Sequence, residues 1–216
     1  MSGLHYLKFR CTGCGQCCKD PLLPLTDKDI TRIVEHTGDD PADMIRWVTR
    51  FEIEMDDEPE AFVILRQGKR AMVLKHEHGG CRYLGDDNRC TIYESRPLGC
   101  RIFPFDPTFY VRGPQQGTIR HLKLIPATEC PYELDGKNDP VALRSLHQDY
   151  ERECHEYHAR VAEWNRIQRA RRRAGKAAQT TSEYLQFLGL KPPPKRRIAR
   201  AAAGLKKAVS RVAARL

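Results

Sequence analysis

Apolar positions fall into short groups over the first half of the chain and into one long periodic stripe over the second. Thr26 reads as a helix N-cap, Asp29 as its capping-box partner and Gly38 as the stop. Ile30, Ile33 and Val34 share a face between them, which predicts a helix over 27–37. A second helix is predicted behind Asp40 as cap and Pro41 at the first helical position, with Met44, Ile45 and Val48 as its inner stripe. Ala61–Arg66 and Ala71–Lys75 are rich in strand formers and flank Gln67-Gly68-Lys69-Arg70, which predicts a hairpin. A second hairpin is predicted at Phe109–Arg112 and Thr118–Ile125. From Val141 the spacing changes. Leu143, Leu146, Tyr150, Cys154, Tyr157, Val161 and Trp164 recur at three- and four-residue steps, the signature of a long amphipathic helix over about 140–173. Gly175–Thr181 reads as a flexible break, Ser182–Leu188 as a short helix closed by Gly189, and Pro192–Pro194 as a stiff linker before a last helix, 198–216.

These elements predict an α+β protein in three parts. Residues 1–139 form a small domain of short helices and β-hairpins, 140–174 a long helix packed on it, and 175–216 a basic, linker-rich helical tail. Charge sharpens the division. Residues 1–140 hold 19 Lys+Arg against 22 Asp+Glu, whereas 141–216 hold 18 against 6. Such asymmetry predicts that the tail contacts an anionic surface: membrane, nucleic acid or an acidic protein. No apolar stretch is long enough to cross a membrane. Met1–Arg10 carries no long hydrophobic run, which predicts a cytoplasmic protein with reduced thiols.

Cysteine supplies the candidate chemistry. Cys11, Cys14, Cys17 and Cys18 form one C-x-x-C-x-x-C-C run, and Cys81, Cys90, Cys100 and Cys130 follow. Disulfides are the competing explanation, but nine cysteines leave one unpaired, and thiols this close need strained loops to pair. Thiolate instead selects soft metals, and the eight are read as ligands that stabilise the small domain. The first three match the opening of a ferredoxin run, and Cys130-Pro131 supplies a distant Cys-Pro; zinc also accepts C-x-x-C pairs. An iron–sulfur cluster is placed ahead of Zn2+. If Cys17 and Cys18 are extended, their side chains point to opposite faces and serve two centres or leave one a bystander. Arg96 and Arg101 flank Cys100, where guanidinium offsets the negative charge of a thiolate centre; pairing with the acidic 52–60 loop is the alternative. His76 and His78 border Cys81, and Cys154 with His158 lies on the long helix. All four are weaker ligand candidates, Cys154 reading first as a small buried hydrophobe.

The run Cys11-x-x-Cys14-x-x-Cys17-Cys18 is followed by Cys81 and then by Cys90-x-Ile-Tyr-x-x-Arg-Pro-x-x-Cys100-Arg-x-Phe-Pro. Over about residues 8–135 this resembles the CxxCxxCC cysteine-cluster family, the YkgJ-type zinc- or iron-chelating domain. The resemblance implies metal or iron–sulfur binding by Cys11, Cys14, Cys17, Cys18, Cys81, Cys90, Cys100 and Cys130, the last matched by position and a following proline only. No Walker loop, dinucleotide fingerprint or nucleophile–base motif occurs, so no catalytic residue is assigned. Three functions remain open: a metal centre with a redox or iron-linked role, a structural zinc module presenting a basic surface, and metal storage or delivery.

Overall fold

A computed structural model describes residues 7–19, 22–53, 59–105 and 131–190. In chain order, β1 (Arg10–Cys11) and α1 (Gln16–Lys19) precede α2 (Asp27–Thr37), α3 (Pro41–Met44) and β2 (Ile45–Val48). Then come β3 (Val63–Leu65), β4 (Gly68–Leu74), β5 (His76–Glu77), β6 (Gly80–Cys81), α4 (Leu98–Ile102) and β7 (Tyr132–Glu133). Finally α5 (Pro140–Arg173) and α6 (Thr181–Phe187) complete the described chain. The architecture is α+β, with helices beside small antiparallel sheets.

Local sequence chemistry sets the helices. Thr26 Oγ1 accepts from the Asp29 N–H at 3.1 Å and Asp29 Oδ2 accepts from the Thr26 N–H at 3.0 Å, while Gly38, at φ 73°, closes α2 on the Val34 carbonyl. Asp40 caps α3 through the Ala42 N–H at 2.9 Å, but that helix stops at Met44. Ile45–Val48, expected to continue it, is a strand paired antiparallel to β4 from Ile45↔Leu74 to Val48↔Ala71. Pairing with β4 and the three strand formers Ile45, Trp47 and Val48 outweigh a single turn of helix. The first hairpin is present with a tighter turn than expected: Leu65 pairs with Gly68, so Arg66 and Gln67 alone make the corner and Gly68-Lys69-Arg70 belong to β4.

Order β2-β4-β3 gives a sheet with two buried faces. Ile45, Leu65, Met72 and Leu74 face the main core with Ile30 and Ile33 of α2, Val161 and Trp164 of α5, and Tyr184, Leu185 and Leu188 around α6. Val48, Phe62, Ala71 and Val73 form a smaller cluster. Polar residues of α5 finish the sheet edge. Ile64 N–H donates to Asn165 Oδ1 at 2.7 Å, Asn165 Nδ2 donates to the Phe62 carbonyl at 2.9 Å, and Trp164 Nε1 donates to the Ile64 carbonyl at 2.9 Å. A side-chain amide thus does what a fourth strand would do for the edge of β3.

The stretch after α5, expected to be a flexible break, is tied down. Gln179 N–H and side chain bond to Gln168 at 3.0 and 2.9 Å, and its carbonyl accepts from the Arg66 N–H at 2.8 Å. It delivers α6 to the core, where the Tyr184 ring lies 5.0 Å from Trp164 and 6.0 Å from Trp47. Of the segment read as a tail, residues 184, 185, 188 and 190 are core and 191–216 lie outside the described residues, as do the second hairpin and Cys130.

Candidate metal centre

Short elements outside the three-stranded sheet carry the cysteines. Leu7–Phe9 is clamped by the chain after β7: Gly136 N–H donates to the Lys8 carbonyl at 2.7 Å, and Asn138 Nδ2 donates to the carbonyls of Phe9 and Leu7 at 2.7 and 2.9 Å. β1 then pairs with β7, setting Cys11 opposite Tyr132, and the Thr12 hydroxyl donates to the Pro131 carbonyl. Cys11 is exposed there; Cys14 is half-buried between Gly13 and Gly15, both at φ 72°. A Cβ on Gly15 would stand 3.1 Å from both Cβ and carbonyl oxygen of Asn88, so glycine lets the run lie against the 85–89 loop.

Cys17 and Cys18 are not extended. They occupy the single turn α1, with their sulfurs 4.0 Å apart, so the expected divergence onto opposite faces does not occur. α1 lies against β6: a Cβ on Gly80 would meet the Cys18 carbonyl at 3.3 Å. The 85–89 loop is closed by Gly85 N–H on the Arg89 carbonyl (2.8 Å) and Asn88 N–H on the Gly85 carbonyl (2.9 Å), which turns Cys90 back beside Leu84. Cys81 and Cys90 both pack on the main core. Cys100 sits on α4, whose first residue, Leu98, donates its N–H to Asp29 Oδ1 at 3.0 Å. Asp29 is in turn paired with Arg32, which also reaches Glu153 of α5 at 2.8 Å. Sequence reasoning saw Asp29 only as a capping partner; its second oxygen anchors the cysteine-bearing α4, a long-range contact with no local signal.

The arrangement brings four thiols from three segments into one electrostatic set. Burial pushes the Cys100 thiol well up, and Cys81, Cys17 and Cys90 push it further. Burial likewise raises Cys81 and Cys90, each also feeling Cys17. Cys17 is raised chiefly by its contact with Cys18, then by burial. The Gly13 N–H donates to the Cys11 sulfur at 3.4 Å. Opposing the upward shifts, the Tyr83 N–H reaches the Cys81 sulfur at 3.4 Å and the Ile92 N–H reaches Cys90. Such donors favour thiolate over thiol. Arg96 favours thiolate at both Cys17 and Cys90, while its guanidinium stacks 3.5 Å from the Tyr93 ring centroid and its Nε donates to the Tyr93 carbonyl at 2.8 Å. Arg101 is exposed on α4.

His76 stands directly opposite Cys81 in the β5–β6 pair, whereas His78 is exposed in the turn at φ 52°. His158 Nδ1 lies 4.0 Å from Glu60, and Cys154 lines a small crevice with Tyr150 and Asp29. None of the eight described cysteines is in a disulfide. Among the described residues, no three of His, Cys, Asp or Glu stand close enough to hold an ion as placed. The donor set nevertheless fits a soft metal in its chemistry: sulfur alone, backbone N–H donors on three sulfurs, and one cation beside two of them.

Residues 10–131 match the CxxCxxCC family, described as a putative zinc- or iron-chelating domain. The chain belongs to that family. The matched span takes in eight of its nine cysteines, Cys154 on α5 lying outside it. No curated protein and no solved structure matches significantly. No described helix is long and apolar enough to cross a membrane.

Proposed function

We propose that the protein holds a thiolate metal centre with Cys17, Cys81, Cys90 and Cys100 as its first ligands and an iron–sulfur cluster as its occupant. Cys11, Cys14, Cys18 and Cys130 supply further donors of the same motif. The observation that carries this reading is how the short elements bring the cysteine segments together: α1 lies on β6, where a Gly80 Cβ would stand 3.3 Å from the Cys18 carbonyl, Cys90 is turned back beside Leu84, and Asp29 anchors the Cys100-bearing α4. When bound, a cluster supplies one-electron chemistry and a zinc ion supplies a structural clamp. The chain's own part is to hold the site. Arg96 offsets negative charge, the Gly13, Tyr83 and Ile92 amides donate to sulfurs of Cys11, Cys81 and Cys90, and Asp29 fixes α4 on α2. Arg101 is left a role in long-range charge balance. A reducing, cytoplasmic setting keeps such thiols available.

A structural zinc module is the second reading. It is favoured by the packing of Cys81 and Cys90 on the main core, where a metal would staple the cysteine side to the sheet. Anaerobic purification with a visible spectrum and elemental analysis decides between them. Brown protein holding iron and sulfide is the expected result. Colourless protein with stoichiometric zinc, from iron-replete cells, overturns the cluster and keeps the thiolate site. Metal-free protein of unchanged thermal stability overturns both.

A further inference from the structure

We propose that the end of the molecule formed by the β3–β4 corner and the last turns of α5 binds single-stranded nucleic acid. Two basic stretches far apart in sequence meet there. Arg66 at the corner donates its backbone N–H to the Gln179 carbonyl at 2.8 Å and its Nε to the Ala178 carbonyl at 3.4 Å. From the helix side, Arg171 Nε donates to the Ala177 carbonyl at 3.2 Å. Residues 177–179 are therefore the seam between the hairpin and the helix end. Beyond the seam, Arg169, Arg172 and Arg173 are exposed, as is Lys69. No acidic residue occurs between Ala61 and His76 or between Trp164 and Ser182. The nearest carboxylate in sequence beyond α5, Glu183, is already bonded to Thr180 and Gln179. Cations on two rigid elements without interleaved acids make a positive surface that follows a phosphate chain.

An aromatic element makes this surface suit a strand with free base faces. Phe51 is 85% exposed, with the Arg50 guanidinium 4.9 Å from its ring centroid. The same two residues, with Pro59, Phe62, Lys69 and Arg70, line a cavity of about 400 Å³. Phe51 leads into the acidic 52–60 stretch, whose Glu52 is taken up by Arg46 and Thr49, and the cations that line the cavity, Arg50, Lys69 and Arg70, are the ones left to reach phosphate. A ring beside such a cavity accepts a stacked base. Duplex nucleic acid offers no such face, and a membrane surface calls for a broader apolar face than one ring provides. This surface is distinct from the cysteine run, and the inference stands whichever metal occupies the thiols.

The test uses full-length protein and fluorescent oligothymidylate and oligouridylate of about 15 nucleotides, the upper end of what one binding fold covers. Binding is read by anisotropy across a salt series. The double variants Lys69→Glu/Arg70→Glu and Arg169→Glu/Arg172→Glu are each expected to weaken binding about tenfold or more and to flatten the log–log salt slope by about 0.7 per lost phosphate contact. Phe51→Ala is expected to weaken binding about tenfold with the slope unchanged. Metal content and far-ultraviolet melts, unchanged in every variant, separate a lost surface from a lost fold. Three results overturn the proposal: no binding by the wild type, binding indifferent to both charge reversals, or capture by anionic lipid vesicles that oligonucleotide does not compete away.

Discussion

Around Trp164 and Tyr184 a seven-residue strand and a 34-residue helix bury most of the apolar side chains. Around Cys17 and Cys90 the strands are two residues long, and the four-residue α1 buries no side chain at all. The first region removes enough apolar area from water to hold itself together. The second cannot do so and is held by tight turns, backbone clamps and whatever its thiols bind. The contrast teaches where a bound metal would contribute most: to the side of the molecule that adds only a few buried side chains, Tyr83, Ile92, Leu98 and Ile102, and is tied to α2 by the Asp29 bond to α4.

The largest expected effect comes from taking the metal away. Structural thiolate sites contribute on the order of 10 kcal/mol, nearly all of which is expected to fall on the cysteine side here. Chelation, or Cys90→Ser or Cys100→Ser, is expected to abolish amide-exchange protection across residues 80–102. Tryptophan fluorescence, reporting Trp47 and Trp164 beside Tyr184, is expected to stay native. Simultaneous loss of both signals would show one cooperative unit and break the comparison.

The converse perturbation strikes the sheet. Asn165→Leu leaves the half-buried Ile64 N–H and the buried Phe62 carbonyl without their partners, a loss of about 2–4 kcal/mol. Urea denaturation measures it. Metal content is expected to be unchanged, and a fall in metal content would couple the regions more tightly than their contacts suggest.

Legibility in the sequence followed the range of the interaction. Thr26, Asp29 and Gly38 announced α2 because capping acts within one turn, and the apolar spacing from Leu143 to Trp164 gave α5 its span. Ile45–Val48 reads as helix in the sequence because its partner, β4, lies some 25 residues on and leaves no local mark. Gln179 looked like part of a flexible Gly/Ala/Thr stretch, since its order comes from Gln168 and Arg66. At the site, the motif identified the thiols but not their grouping. Cys17 and Cys18 diverge only if the chain is extended there, whereas one helical turn brings their sulfurs to 4.0 Å. Arg96 and Arg101 are equivalent beside Cys100 in the sequence; the fold sets Arg96 where its charge favours thiolate at Cys17 and Cys90, against Tyr93.

A smaller effect separates two glycines in the cysteine run. Gly13 and Gly15 share φ 72°, so either alanine variant costs about 1–2 kcal/mol of backbone strain. Gly13 has open space where a Cβ would go, whereas Gly15 faces Asn88 at 3.1 Å. Gly15→Ala is therefore expected to cost about 1 kcal/mol more than Gly13→Ala, as overpacking does. It is also expected to weaken metal retention against a competing chelator, because it pushes the run off the 85–89 loop. Equal retention by the two variants would show that the loop contact does not set the site.

The smallest effect is a pH dependence confined to the sheet side. The Glu183 carboxylate accepts from the Thr180 N–H, from Gln179 and from the Thr180 hydroxyl, and together these hold its pKa down to about 2. A carboxyl with a depressed folded-state pKa stabilises the fold above its unfolded value of about 4.3, and that contribution fades as pH falls toward the folded value. α6 carries Tyr184 and Leu185 into the core, so its first turn is felt by the tryptophans. Glu183→Gln is expected to lower the melting temperature read by tryptophan fluorescence at pH 7. The gap to wild type should narrow between about pH 4.3 and 2, as the wild-type carboxyl takes up its proton. Exchange protection of the 80–102 segment is expected to be the same in both proteins over that range. A parallel shift there would show that the α6 cap reaches the cysteine side through α5, and the two regions would then have to be treated as one.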